Sequence, residues 1–240
     1  NGWVERTQTI QETNFGGVYG WWGTDFEYSP DGEKIAFVSP DKIGYRIFQT
    51  DQVTQLLDII PFQTVGDWAW VPGFDWSPDN NFLYTVEHVA TNGIENPEES
   101  PRFDLSAVPV AGGKPIRIVQ DVGMFAYPIT SPYYLDVTGE LNFQIAYLQA
   151  ISPMQSDSSR YSVMTVDRDG SNKDRVFPAE GLPGIDAQSG WGAWSPYDYE
   201  STSDLILAII YQGNIWFIDP ISGEEWQITG DGRINRIDWQ

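Results

Sequence analysis

The sequence predicts an all-β chain of the β-propeller class, built from four-stranded antiparallel blades. Three observations carry that prediction. An aromatic-Ser-Pro signature heads the same strand pattern at Tyr28-Ser29-Pro30, Trp76-Ser77-Pro78 and Trp194-Ser195-Pro196, with a degenerate copy at Thr130-Ser131-Pro132. The successive serines are 48, 54 and 64 residues apart, a spacing of blade size. Each interval holds about four short strand patterns and no convincing helix.

The first unit shows the plan best. Asp25–Tyr28 reads as an inner strand, followed by Ser29-Pro30-Asp31-Gly32, a turn in which Pro presets φ and Gly accepts a positive φ. Lys34–Ser39, Tyr45–Gln49 and Val53–Ile59 complete the blade. The second unit places an inner strand near 73–77 and a second strand from Phe82, then a long excursion over Thr91–Arg102. In the third, an inner strand near 127–131 leads to Asn142–Tyr147, an excursion over Ile151–Arg160 and a strand over Ser162–Asp167. The fourth has an inner strand near 191–195, then Leu205–Tyr211, Asn214–Asp219 and Glu225–Thr229. Its hairpin turns are Gln212-Gly213-Asn214 and Ile221-Ser222-Gly223. Val4–Ile10 reads as an orphan outer strand and Ile234–Trp239 as an orphan inner strand. Residues 1–240 are therefore read as one propeller domain or segment, expected to belong to a larger ring rather than to a closed four- or five-bladed one.

Aromatic-Ser-Pro-Asp-Gly, then a charged residue, then Ile-Ala-Phe-Val-Ser resembles the repeat of TolB-like propellers, also called WD-repeat-like. Ser162–Asp167 with Asp169-Gly170-Ser171 is similar to the same repeat. The resemblance covers about residues 19–240. It implies extracytoplasmic placement, periplasmic or extracellular, in a prokaryote. It carries over no ligand residues, because the family's motif is structural.

Composition narrows the function classes. Thirty-four acidic against thirteen basic side chains give a net charge of −21. That disfavours nucleic acid and anionic membrane surfaces, both of which need a basic face. No apolar run reaches membrane-spanning length. The chain has no cysteine, so disulfides, thiolate zinc sites and a cysteine nucleophile are excluded.

Enzyme chemistry is hard to build. The one histidine, His88, sits on a strand beside Glu87 and reads as structural, and there is no Gly-x-Ser-x-Gly elbow. Asp167–Asp174 superficially resembles a cation loop, but Val176 stands where an EF-hand needs Glu, so it reads as a hairpin turn. No metal and no cofactor is expected.

Two candidate binding sets remain. Aligning the inner strands on the aromatic puts Glu27, Asp75, Ile129, Ala193 and Asp238 at the position just before it. Inner strands line a propeller's channel, so the carboxylates Glu27, Asp75 and Asp238 are expected there. The second set is aromatic. Trp21, Trp22, Trp68, Trp70 and Trp191 lie in segments leading into inner strands, on one face of the disc, where exposed rings anchor ligands. Trp76, Trp194 and Trp239 occupy the repeat position and are expected to pack between blades. The resulting reading is a non-catalytic protein-interaction or scaffold module, its protein partner basic on charge grounds. Two alternatives stand beside it. One is the gating propeller of a prolyl-oligopeptidase-like serine peptidase whose catalytic domain lies outside this chain. The other is a carbohydrate-binding or carbohydrate-acting propeller using Asp25, Glu27, Asp75 or Asp238.

Overall fold

The computed structural model describes residues 23–65, 68–136, 138–196, 205–237 and 239. These form four four-stranded antiparallel sheets, each a simple meander except for an insertion in the third. The first contains β1 (Asp25–Tyr28), β2 (Lys34–Ser39), β3 (Lys42–Ile47) and β4 (Val53–Asp58). The second contains β5 (Phe74–Trp76), β6 (Phe82–Val89), β7 (Arg102–Pro109) and β8 (Ile116–Val119). In the third, β9 (Ile129–Thr130) is followed by a small hairpin, β10 (Tyr134–Leu135) and β11 (Leu141–Asn142). β12 (Gln144–Ala150), β13 (Tyr161–Asp167) and β14 (Asp174–Phe177) then complete that sheet. The fourth contains β15 (Gly192–Trp194), β16 (Leu207–Tyr211), β17 (Asn214–Ile218) and β18 (Glu225–Gln227). No α-helix occurs among the described residues.

The expected inner strands fall where the repeat puts them, the first over its full range and the other three shorter. The added hairpin of the third sheet explains its weak motif, since Tyr133-Tyr134 begins an insertion rather than a tight turn. Val4–Ile10 lies outside the described residues. Ile234–Ile237 is not a strand; Ile234 instead donates its backbone N–H to Gly213 O at 2.8 Å, holding this segment against the hairpin of the fourth sheet.

The Ser-Pro signature is a hairpin clamp. In all four units the serine Oγ accepts the backbone N–H that opens the next strand: Lys34 N to Ser29 at 2.9 Å, Phe82 N to Ser77 at 2.9 Å, Gln144 N to Ser131 at 3.0 Å and Ile206 N to Ser195 at 3.0 Å. All four serines are buried, so each hydroxyl supplies an acceptor to a partly buried backbone donor where the strand begins. In the first two units the hydroxyl donates in turn to the following aspartate, Asp31 or Asp79. Gly32 takes φ +68° and Asn80, at the matching position, takes φ +61°; both residue types tolerate the left-handed region this turn demands. Ser77→Ala removes an acceptor of both Phe82 N and Asn81 N. Asn81 N keeps Asp79 Oδ1 as an acceptor at 3.0 Å, so the expected loss of stability, about 1–2 kcal/mol, comes from the Phe82 donor and is read as a shift in the urea midpoint.

The blades are joined by a second repeated bond. Trp76 Nε1 donates to Glu27 O and Trp194 Nε1 donates to Ile129 O, each at 3.2 Å. Glu27 and Ile129 are equivalent: each is the residue before the repeat position of the preceding blade. Thr130, which replaces the aromatic in the third blade, keeps the function with shorter reach, its hydroxyl lying 2.6 Å from Trp76 O. Trp76 and Trp194 are accordingly buried, whereas Tyr28 at the same position of the first blade is 66 % exposed. Apolar packing follows this stacking. One core cluster spans the first three sheets and a second joins the third to the fourth.

His88 is structural. It is buried on β6, its Nδ1 2.9 Å from Ile60 O and its Nε2 2.7 Å from Ser100 O, with the ring stacked on Phe103 at 4.8 Å. The acidic turn between β13 and β14 is closed by Gly170 N to Asp167 O at 2.9 Å, and Asp169 Oδ1 accepts from both N and Oγ of Ser171. Its carboxylate chemistry is used in shaping the hairpin.

Candidate functional site

The four short inner strands β1, β5, β9 and β15 all contribute to one cavity, with β9 lying beside both β5 and β15. Alternation along each strand turns the repeat-position side chain between blades and the preceding side chain toward the channel. Glu27, Asp75, Ile129 and Ala193 therefore line a common cavity of about 510 Å³ at the Ser-Pro end, together with Ile237 and Trp239. A second cavity of about 250 Å³ opens at the opposite end, lined by Asp25, Tyr127 and Trp191 among others. Glu27 and Ile129 border both.

The cavity brings Glu27 and Asp75 together, near enough for the charge of Asp75 to act on Glu27. Asp75 is the better-supplied partner. Its Oδ1 accepts from Trp76 N at 2.7 Å and its Oδ2 from Thr130 N at 2.5 Å, with the Thr130 hydroxyl at 3.0 Å. Desolvation raises the pKa of both carboxyls, and for Glu27 the charge of Asp75 raises it further. Donors from Thr130 and Trp76 pull Asp75 back down. Burial and the Asp75 charge therefore favour the protonated form of Glu27 more strongly than that of Asp75. Sequence reasoning placed both carboxylates here but missed Thr130, whose donors decide which one is ionised. A Thr standing at an otherwise aromatic repeat position was the available signal. Asp238 lies outside the described residues.

The pair sets a carboxyl whose protonated form is favoured beside one supplied with donors by Trp76 and Thr130, both on the wall of one cavity.

The aromatic set divides. Trp70 and Trp191 are each 1 % exposed, so the expectation that they present rings to a ligand is corrected. Trp70 Nε1 donates to Met124 O at 2.8 Å and Trp191 Nε1 to Tyr127 O at 2.9 Å, which makes both of them pins across neighbouring blades. The reason is that indole brings both a large apolar surface and one donor, and a blade junction uses both. Trp68 is 40 % exposed. Trp21 and Trp22 lie outside the described residues.

No family model and no curated protein matches the sequence. Solved structures do match in fold. A prolyl endopeptidase superimposes with a TM-score of 0.50 at 11 % identity, over 87 % of this chain. The blades are those of a β-propeller. An auxiliary nutrient binding protein from Bacteroides thetaiotaomicron (TM-score 0.39, 12 % identity, 68 % of this chain and 39 % of that one) is also similar. So is TolB from Agrobacterium tumefaciens (TM-score 0.30, 14 % identity, 89 % of this chain and 84 % of that one). The chain spans 29 % of the length of the endopeptidase. At these identities the likeness concerns the fold alone. No helix among the described residues is long and apolar enough to cross a membrane.

Proposed function

We propose that this chain is a non-catalytic recognition module of a prokaryotic extracytoplasmic protein, and that it holds a protein partner at the Ser-Pro end of its channel. One observation carries the reading: all four inner strands contribute to a single cavity of about 510 Å³, large enough to bury a ligand group. Its wall carries a carboxyl whose protonated form is favoured and a carboxylate already oriented by Thr130 and Trp76. The net charge of −21 favours a basic partner and a salt-sensitive association rate. The extracytoplasmic placement rests on the likeness of the repeat to TolB-like propellers.

The test is a peptide and glycan array probed with the purified chain, alongside a panel of peptide, ester and glycoside substrates. Binding is expected without turnover, and Ala193→Arg, which fills the channel wall, is expected to abolish it at an unchanged thermal midpoint. Turnover that Glu27→Gln removes would overturn the non-catalytic reading. Binding that survives Ala193→Arg would move the site off the channel.

A second reading is favoured by the pair of cavities that share Glu27 and Ile129, because they open at opposite ends of the inner strands. In this reading the two cavities are the ends of one passage that admits extended peptide to a hydrolase domain outside this chain. A Gly-x-Ser-x-Gly motif with a later histidine in the flanking gene sequence would decide for it.

A further inference from the structure

The excursions over 91–102 and 151–160 come from different blades and meet on one side of the molecule. Met124 N donates to Ser156 Oγ at 3.1 Å, and Gln63 N donates to Glu98 O at 2.7 Å, which ties the first excursion to the connection between the first two blades. Between them lies a slot of about 210 Å³ that shares no residue with the channel. Its walls are Phe62, Pro101, Phe103 and the buried Met124, with the buried Ser156 among them and with Met154, half exposed, and Gln155 at its edge. Its rim carries two exposed carboxylates, Glu99 from one excursion and Asp157 from the other. Neither forms an ion pair among the described residues, and no cationic side chain lines the slot. The arginines at the ends of the excursions are already engaged, Arg102 with Asp121 at 2.8 Å and Arg160 with Asp186.

We propose that this slot receives an arginine side chain of a basic protein partner. The shape and the charge point to the same occupant. An arginine laid along the slot packs its apolar stem on methionine and phenylalanine and sets its head between the two carboxylates. Its planar, weakly hydrated guanidinium suits aromatic walls and pairs with carboxylates on either side. A neutral apolar ligand would cover the two rim carboxylates and give them no counter-charge, which is unfavourable. Long insertions on an otherwise regular repeat are also where binding surfaces concentrate. This proposal is independent of the channel and of what the channel holds.

The chain's three methionines supply the test. Met124 and Met154 line the slot, while Met164 sits on β13 away from it. With methyl-¹³C methionine, titration of a capped Gly-Arg-Gly peptide is expected to move the Met154 and Met124 signals saturably and to leave Met164 in place. The isosteric citrulline peptide, which lacks the charge, is expected to bind about 10-fold more weakly or worse, the loss of one charge-assisted hydrogen bond. The double variant Glu99→Gln, Asp157→Asn is expected to lose at least as much while keeping its thermal midpoint, because both side chains are exposed. Equal shifts from the citrulline peptide, an undiminished response in the double variant, or no movement of Met154 at millimolar peptide would each overturn the proposal.

Discussion

Trp76→Ala is expected to destabilise the protein by about 3–5 kcal/mol, the range for truncating a fully buried large aromatic. Trp76 is 2 % exposed, packs in the core cluster that joins the first three sheets, and donates its indole N–H to Glu27 O. Truncation opens a void between blades and leaves that carbonyl without its donor. Trp76→Phe separates the two effects. It keeps most of the ring contact and removes the hydrogen bond, so its loss should be smaller by about the packing contribution, leaving roughly 1 kcal/mol for the bond. The repeat supplies its own control. Tyr28 occupies the same motif position but is 66 % exposed and, among the described residues, stacks on Phe48 at 5.6 Å. Tyr28→Ala should therefore fall below about 1 kcal/mol. Chemical denaturation of the three variants measures all of this, and equal losses at positions 28 and 76 would refute the junction role.

Glu27→Gln is expected to raise the thermal midpoint above neutral pH and to leave it unchanged near pH 4. Burial and the neighbouring Asp75 charge hold the Glu27 carboxyl well above the usual glutamate range. The folded protein thus keeps a proton that the unfolded chain releases. Stability is complete below the ordinary glutamate pKa and falls as pH rises from there toward the folded-state value. Glutamine cannot ionise. Each pKa unit so removed corresponds to ~1.4 kcal/mol, so a gain of at least that size is expected at pH 8. Melting curves of parent and variant from pH 4 to pH 9 give the measurement. A variant no more stable than the parent at pH 8 would show that burial and the Asp75 charge do not hold a proton on Glu27.

Sequence alone determined the blades. Each hairpin is closed by contacts a few residues apart, such as Ser29 with Lys34 or Ser77 with Phe82, so strand order and turn type are written in local spacing. It also placed Glu27 and Asp75 on the channel side, because strand alternation relative to a fixed aromatic is a local property. The third blade was the least legible. Its inner strand is reduced to Ile129–Thr130 and its turn is replaced by a small hairpin, so only the serine clamp preserves the register.

Tertiary structure decided everything that depends on a neighbouring blade. Trp68, Trp70 and Trp191 look alike in sequence, yet only the first is exposed, because burial is set by carbonyls at Met124 and Tyr127 in other units. The same holds for the carboxyl pair. Which of Glu27 and Asp75 keeps the proton depends on Thr130, 55 residues beyond Asp75, whose N–H reaches the aspartate only when the second and third inner strands lie side by side. A repeat fixes hydrogen bonds within its own period, whereas burial and charge belong to the contacts between periods.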